Sequence, residues 1–430
     1  MRLSIVNGRV VDPASGLDTP AAVHVADGIV ASIGDAPAGF EAQRVIDARG
    51  LVVAPGLVDL AARLREPGFE YRATLESEMQ AALAGGVTSL SCPPDTDPPL
   101  DEPGLVEMLK HRARGLDGAR LYPLGALTVG LKGEVVTEMA ELAEAGCVGF
   151  SQAGQAMADT QNLLRALQYA RTFGFTAWLQ PEEPHLARGG VAHSGPVAAR
   201  LGLPGVPVIA ETVAVHTIVE LVRATGCRVH LCRLSSAAGI DLVRAAKAEG
   251  LPITCDVAVH HLHLVDVDIG FFDSHYRVSP PFRAQRDRDA IRRGLADGAI
   301  DAICSDHTPV DDDAKLLPFA EAEPGVTGLE LLLPLTLKWA DETGTPLARA
   351  LAKVTSAAAP ILGVDAGRLA AGAPADLCLF DPAEHWVVEA ADLLSQGRHS
   401  PYLGREVCGR VRMTLVGGRV VHERAARGAA

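Results

Sequence analysis

From about residue 55 to about residue 360 the chain repeats one unit, a helix-like stretch followed by a short apolar run. Residues 74–84 lead into 86–92 (Gly-Val-Thr-Ser-Leu-Ser-Cys), and residues 138–145 lead into 147–151. The same order recurs at 212–224 before 228–232, at 237–249 before 253–257, and at 286–296 before 302–306. Strands joined through helices pair in parallel, because each helix carries the chain back to the edge where it started. Sustained over this length, the rhythm predicts an α/β fold, a (β/α)8 TIM barrel, in which the residues just past each strand gather at one end and carry the chemistry.

Both ends of the chain read as β instead. Residues 3–11 surround an Asn7-Gly8 pair, residues 22–30 an Asp27-Gly28 pair, and residues 411–421 a Gly417-Gly418 pair. Each pair favours positive φ and predicts a hairpin. Residues 376–381 add a further strand. One small β-sandwich domain built from both termini, residues 1–54 plus 361–430, is therefore expected beside a barrel of residues 55–360.

Composition narrows the function. Lys and Arg total 39 against 53 Asp and Glu, a net charge of −14. A field of that sign repels nucleic acid and anionic membranes. Aromatic residues make up only 4%, too few for base-stacking platforms. No apolar run is long enough to span a bilayer. The eight Cys contain no CxxC pair, and residues 1–8 carry no signal pattern, so a cytoplasmic protein with reduced thiols is expected.

The positions after the strands hold Asp59-Leu60-Ala61-Ala62-Arg63-Leu64-Arg65-Glu66-Pro67-Gly68, then Pro94-Asp95-Thr96, Phe150-Ser151-Gln152-Ala153 and Leu179-Gln180-Pro181. Further on come Cys232-Arg233-Leu234, Val278-Ser279-Pro280 and Ser305-Asp306-His307-Thr308-Pro309, and Gly328-Leu329-Glu330 closes the series. The Leu64–Gly68 and Ser305–Pro309 runs, with Gly328-Leu329-Glu330, resemble dihydroorotase of the amidohydrolase superfamily, over essentially the whole chain.

That resemblance implies a zinc site, in which metal-bound hydroxide opens dihydroorotate and an Asp after the last strand moves the proton. Aligned by eye, the positions that should hold the metal read Ala61, Arg63, Gln152, Gln180 and Arg233, and Asp306 is what remains. Zinc needs three or four N, S or carboxylate donors together, so no metal and no cofactor are expected. Arg63 and Arg233 are expected to fill the vacated volume and neutralise Asp306. Of the substrate shell, Arg65 resembles the family's carboxylate clamp, while Asp95 and Ser279 stand where the family has Asn. Val310 stands where it has a His.

Blander readings apply elsewhere. His260, His261 and His263, read as a strand, present only two side chains to one face, too few for a relocated metal. His230, Cys232, Cys255 and Cys304 read as core residues. Cys92 is a nucleophile candidate without a base, and Asp311, Asp312 and Asp313 as a solvated acidic run. Arg65 could instead be structural, paired with Glu66 or Asp59.

The resemblance thus implies a catalytically inactive dihydroorotase-like protein of pyrimidine synthesis. Its implied role is a structural subunit that assembles with the aspartate transcarbamoylase catalytic chain in a mixed oligomer. Two alternatives stay open. One is an active cyclic-amide hydrolase with a non-standard site around Asp306, His307 and residues 260–263. The other is a regulatory subunit that binds a small acid through Arg63, Arg65 and Arg233.

Overall fold

A computed structural model describes residues 2–424. Eight parallel strands follow one another around a barrel: Leu57–Asp59, Val87–Cys92, Arg120–Ala126, Gly149–Ser151, Thr176–Leu179, Arg228–Leu231, Ile253–Ala258 and Ala302–Cys304. Each pairs with the next in sequence. The last meets the first through one parallel bridge, Ala62 to His307. There His307 N donates to Ala61 O (3.1 Å) and Arg63 N to His307 O (2.9 Å). This is the (β/α)8 architecture that the rhythm predicts. Among the described residues, no helix is long and apolar enough to cross a membrane.

The terminal strands form a single mixed sheet of eight. Arg2–Asp12 lies inside it, with Leu17–Ala26 and Ile29–Ile33 on one side and Val52–Pro55, Leu377–Val387, Glu406–Val416 and Arg419–Glu423 on the other. Arg44–Asp47 also pairs with Arg2–Asp12. Alternation divides each strand between two cores. Val10, Val53, Leu377 and Leu379 pack into a cluster belonging to the sheet itself. Their neighbours Val11, Val52, Cys378 and Phe380 join the large core shared with the barrel helices. Each fully buried Val, Leu or Phe contributes about 1.5–3 kcal/mol, so the strands hold the sheet and the barrel together.

Two of the three expected turns are hairpins. Asp27 (φ 52°) and Gly28 (φ 84°) join Leu17–Ala26 to Ile29–Ile33, and Gly417 (φ 54°) and Gly418 (φ 72°) join Glu406–Val416 to Arg419–Glu423. The Asn7-Gly8 expectation is corrected. Arg2–Asp12 runs on as one strand, and Asn7 (φ 64°) makes a bulge where the register against Leu17–Ala26 slips. A side chain at Gly8 would meet Val53 Cγ2 at 2.7 Å, so the glycine serves close packing.

Helix Leu75–Ala84 carries a buried carboxylate, Glu78, that ties distant segments together. Its Oε2 accepts from His307 Nε2 (2.5 Å) and Ser395 Oγ (2.7 Å), and its Oε1 from Gln396 N (3.0 Å). His307 Nδ1 accepts from Gly328 N (3.1 Å), which places the ring proton on Nε2. Burial pushes the Glu78 carboxyl up, but His307 and the hydroxyl donors outweigh it and hold the group below its usual range. Removing one partner of a buried pair strands the other. Glu78→Ala is expected to cost about 3–5 kcal/mol in urea unfolding; a loss below about 1 kcal/mol would show that the network bears no load.

Candidate functional site at the barrel mouth

The loops after the strands enclose a cavity of about 360 Å³ at the C-terminal end of the barrel. Arg63, Arg65, Asp95, Gln180, Arg233, Ser279 and Asp306 all line it. Of the positions that the resemblance aligns with metal ligands, Ala61 and Gln152 do not. Gln152 turns away: its Oε1 accepts from Thr128 Oγ1 (3.0 Å) and its Nε2 donates to Leu131 O (2.8 Å). Ala61 serves the barrel closure through its carbonyl.

Backbone constraints place the charged groups. Asp256 in the seventh strand accepts from His230 Nε2 (3.0 Å) with Oδ2 and from Arg233 N (2.6 Å) with Oδ1. His230, satisfied on its other nitrogen by Thr254, is the core residue expected. Asp59 holds Ser305 through N (2.7 Å) and Oγ (2.5 Å), and Ser305 Oγ in turn accepts from His307 N (3.0 Å). Between these anchors Arg65 (φ 65°), Arg233 (φ 56°) and Asp306 (φ 48°) adopt the left-handed conformation. Side-chain-bearing residues rarely do so, and such outliers cluster at functional sites.

The side chains then form one chain of charge. Arg233 Nη1 donates to Asp306 Oδ1 (2.8 Å), and its Nη2 donates to Gln180 Oε1. Arg63 Nη1 lies 3.7 Å from the same Asp306 oxygen. Arg63 Nε donates to Asp95 Oδ2 (2.7 Å), and its Nη1 to Thr308 Oγ1 (2.9 Å). Burial acts against the Arg233 charge, yet Asp306 outweighs it and leaves the guanidinium more firmly protonated than usual. Burial likewise pushes the Asp95 carboxyl up, and Arg63, with Arg65 and Arg233 behind it, brings it below its usual range.

Arg72 and Glu323 complete the wall, joined at 2.8 Å, and nothing in the sequence pointed to either. Four guanidinium groups therefore face three carboxylates across the cavity. Arg65 is the one without an ion pair among the described residues. It is buried, its Nε donates to Pro309 O (2.8 Å), and burial, helped by Arg63, lowers its pKa to about 10. The idea that it pairs with Glu66 or Asp59 is corrected. Glu66 takes Arg112 (2.8 Å), and Asp59 is spent on Ser305.

The remaining candidates lie elsewhere. Val259–Leu262 is a 3-10 turn, not a strand, so the three histidines diverge. The His260 ring faces Tyr402, His261 packs on Phe282, and His263 Nε2 bonds Leu335 O. Burial lowers His260 to about 3 and His261 to about 4. Cys92 is buried and pushed up to about 12, the reverse of an activated thiol. Asp311 sits at the N-cap of helix Asp312–Leu316, and Asp312 bonds His399 (2.8 Å). Val310 is buried.

The donor set at the mouth does not fit a divalent metal. Among the described residues no three His, Cys, Asp or Glu side chains converge so as to hold one. Asp306 is the carboxylate at the centre, and two fixed cations already occupy its reach. Such an arrangement can hold an anion or hold the loops together.

A family model described as dihydro-orotase-like matches residues 50–238. A dihydroorotase-like protein of Pseudomonas aeruginosa is 47% identical over 98% of this chain and 100% of its own. A protein of Geobacter sp. named dihydroorotase is 40% identical, again over 98% of this chain and 100% of its own. Among solved structures, the L-hydantoinase (dihydropyrimidinase) of Arthrobacter aurescens superposes with a TM-score of 0.88 at 26% identity, over 99% of this chain and 96% of that one.

Asp95 gives the mouth a pH signature. A carboxyl whose folded pKa lies below its unfolded value near 3.9 stabilises the fold above that unfolded value. It loses this contribution as pH falls through the folded one. Asp95→Asn is therefore expected to flatten the fall of the urea midpoint between about pH 5 and pH 2. Equal slopes in both proteins would refute the Arg63–Asp95 assignment.

Proposed function

The chain belongs to the dihydroorotase-like family, and within it we propose that this protein is a catalytically silent member, a structural subunit that assembles with the catalytic chain of aspartate transcarbamoylase. One observation carries the reading. The guanidinium groups of Arg233 and Arg63 converge on Asp306 at 2.8 and 3.7 Å, where the resemblance to dihydroorotase implies metal ligands. The Geobacter sp. protein named dihydroorotase matches along its whole length, so the reading does not rest on overall similarity. It rests on which side chains stand at the mouth.

The physical case is one of charge. An Arg in place of a His removes a donor and adds a cation that does not dissociate at any physiological pH. Asp306 is bound through Oδ1 to Arg233, with Arg63 close to the same oxygen. Function lives in the site, and a fold persists when its chemistry is lost. What such a chain still offers is its surface.

A second reading has its own support. Arg65 is a buried cation without an ion pair among the described residues, and it faces the cavity. A small carboxylate would satisfy it in bidentate fashion, which suits a regulatory subunit that senses an acid.

Three measurements separate these readings. The purified protein is expected to contain no stoichiometric divalent metal and to show no dihydroorotate turnover with added zinc. Either result in the other direction returns the chain to the active hydrolases. Mixed with the transcarbamoylase catalytic chain at micromolar concentration, it is expected to co-elute as a larger particle; separate elution overturns the structural-subunit proposal. A rise in melting temperature with carbamoyl aspartate or dihydroorotate, lost in Arg65→Ala, would establish the sensor. No shift at millimolar ligand removes it.

A further inference from the structure

Two short segments at the mouth end of the barrel place large apolar side chains in water. Val267, Phe271 and Phe272 lie in and after the turn Asp266–Ile269, which follows the seventh strand. Leu316 and Leu317 lie at the end of helix Asp312–Leu316, which follows the eighth. Phe271 is 91% exposed and Leu316 81%.

The segments adjoin. Ser274 Oγ donates to Lys315 O (2.5 Å), and Lys315 Nζ donates back to Ser274 O (3.1 Å). The two Phe rings lie edge to face at 5.3 Å, and Leu316 and Leu317 follow Lys315 directly in the adjoining segment. Exposed apolar residues scattered singly need no explanation; a group of this size marks a contact surface.

The charge around it selects the occupant. Residues 266–273 and 311–321 hold the exposed or half-exposed acids Asp268, Asp273, Asp311, Asp312, Asp313 and Glu321. The one basic side chain in these segments, Lys315, is buried. A second copy would set one acidic border against another, which costs affinity. An anionic lipid surface is repelled on the same ground.

We propose that Val267, Phe271, Phe272, Leu316 and Leu317 form the surface through which this chain docks a different protein, one whose contact face has an apolar centre and a Lys- or Arg-rich border. The proposal rests on the assembling-subunit reading and names the face that assembly uses. The aromatic pair is the anchor of the contact, and the acidic border sets the encounter rate and its salt dependence.

The test compares four full-length proteins against the transcarbamoylase catalytic chain by surface plasmon resonance. They are the unsubstituted chain, Phe271→Ser with Leu316→Ser, Asp312→Lys with Asp313→Lys, and Val45→Ser as an exposed apolar control on the terminal sheet. The apolar pair is expected to weaken binding about a hundredfold. The charge pair is expected to slow association about tenfold and flatten its salt dependence. The control is expected to change nothing. If the apolar pair melts early, the charge pair alone carries the test.

Binding by the unsubstituted chain that survives both double substitutions overturns this surface and leaves the assembling role standing. No binding by the unsubstituted chain overturns that role and the surface with it. Sedimentation of each protein alone closes the remaining route: a homo-oligomer that the apolar pair dissociates would make the occupant a second copy and overturn the proposal.

Discussion

A guanidinium group keeps its proton under all conditions a protein survives. A chain that places Arg63 and Arg233 inside a barrel mouth must therefore supply carboxylates to face them, or leave the mouth to water. This chain supplies Asp306 and Asp95. The supply is demanding, because Asp306 and Arg233 both need a left-handed backbone to meet. Each such residue costs on the order of 1–3 kcal/mol and persists only where its surroundings over-determine it. Here the surroundings are named: Asp256 on Arg233 N, and Asp59 on Ser305, one residue before Asp306. The interior carboxylates of the barrel thus work for the backbone of the mouth, and the backbone aims the charges.

The same arrangement explains why the His307 ring points away from the mouth although it neighbours Asp306. Asp306 lies two residues past the last strand with a left-handed backbone, and there its side chain and that of His307 part. Asp306 faces the cavity, and His307 faces the helix layer, where Glu78 and the backbone of Gly328 claim both its nitrogens. An acid–base role for this histidine would require breaking a fully buried pair. The network joins the closing strand to helix Leu75–Ala84 and to Ser395, so the barrel's closure and its attachment to the C-terminal segment share one side chain.

Much of this was legible in the sequence because it is local or periodic. The alternation of helix and apolar run gives the parallel barrel, and the resemblance to dihydroorotase singles out Arg63, Asp95, Gln180, Arg233, Ser279 and Asp306 within the runs expected at its mouth. All but Ser279, which lies in the long segment after the seventh strand, stand within four residues of a strand end. What was not legible depends on partners far apart in sequence or on a choice between equal local conformations. Asn7-Gly8 carries the same positive-φ signal as Asp27-Gly28. Only the close approach of Val53 and Ala48 to Gly8 makes the first a bulge and leaves the second a turn. Gln152 stands at a strand end like the others, yet Thr128 and the Leu131 carbonyl draw it out of the cavity. Arg72 and Glu323 meet across most of the chain with no spacing to announce them. The histidines of 260–263 diverge because a 3-10 turn replaces the strand that their apolar neighbours suggest.

The charged cavity and the apolar patch beside it are not independent features. Lys315 joins them: its Nζ donates to Ser274 O, Arg277 O and Glu323 O at 2.8–3.1 Å, all within the protein. Ser274 belongs to the patch side of this knot. Glu323 belongs to the cavity side, where its carboxylate holds Arg72. A buried ammonium bound to three carbonyls is stiff, because each bond lost would leave a group unsatisfied in low dielectric. Lys315 thus ties the segment under the patch to the segment that carries Glu323, and Glu323 in turn holds Arg72. In this reading the ion pairs that stand in the mouth do for the docking face what a bound metal and its ligands would do for loops in a catalytic barrel: they hold the strand-end loops in one arrangement, so that an exposed apolar surface keeps one shape.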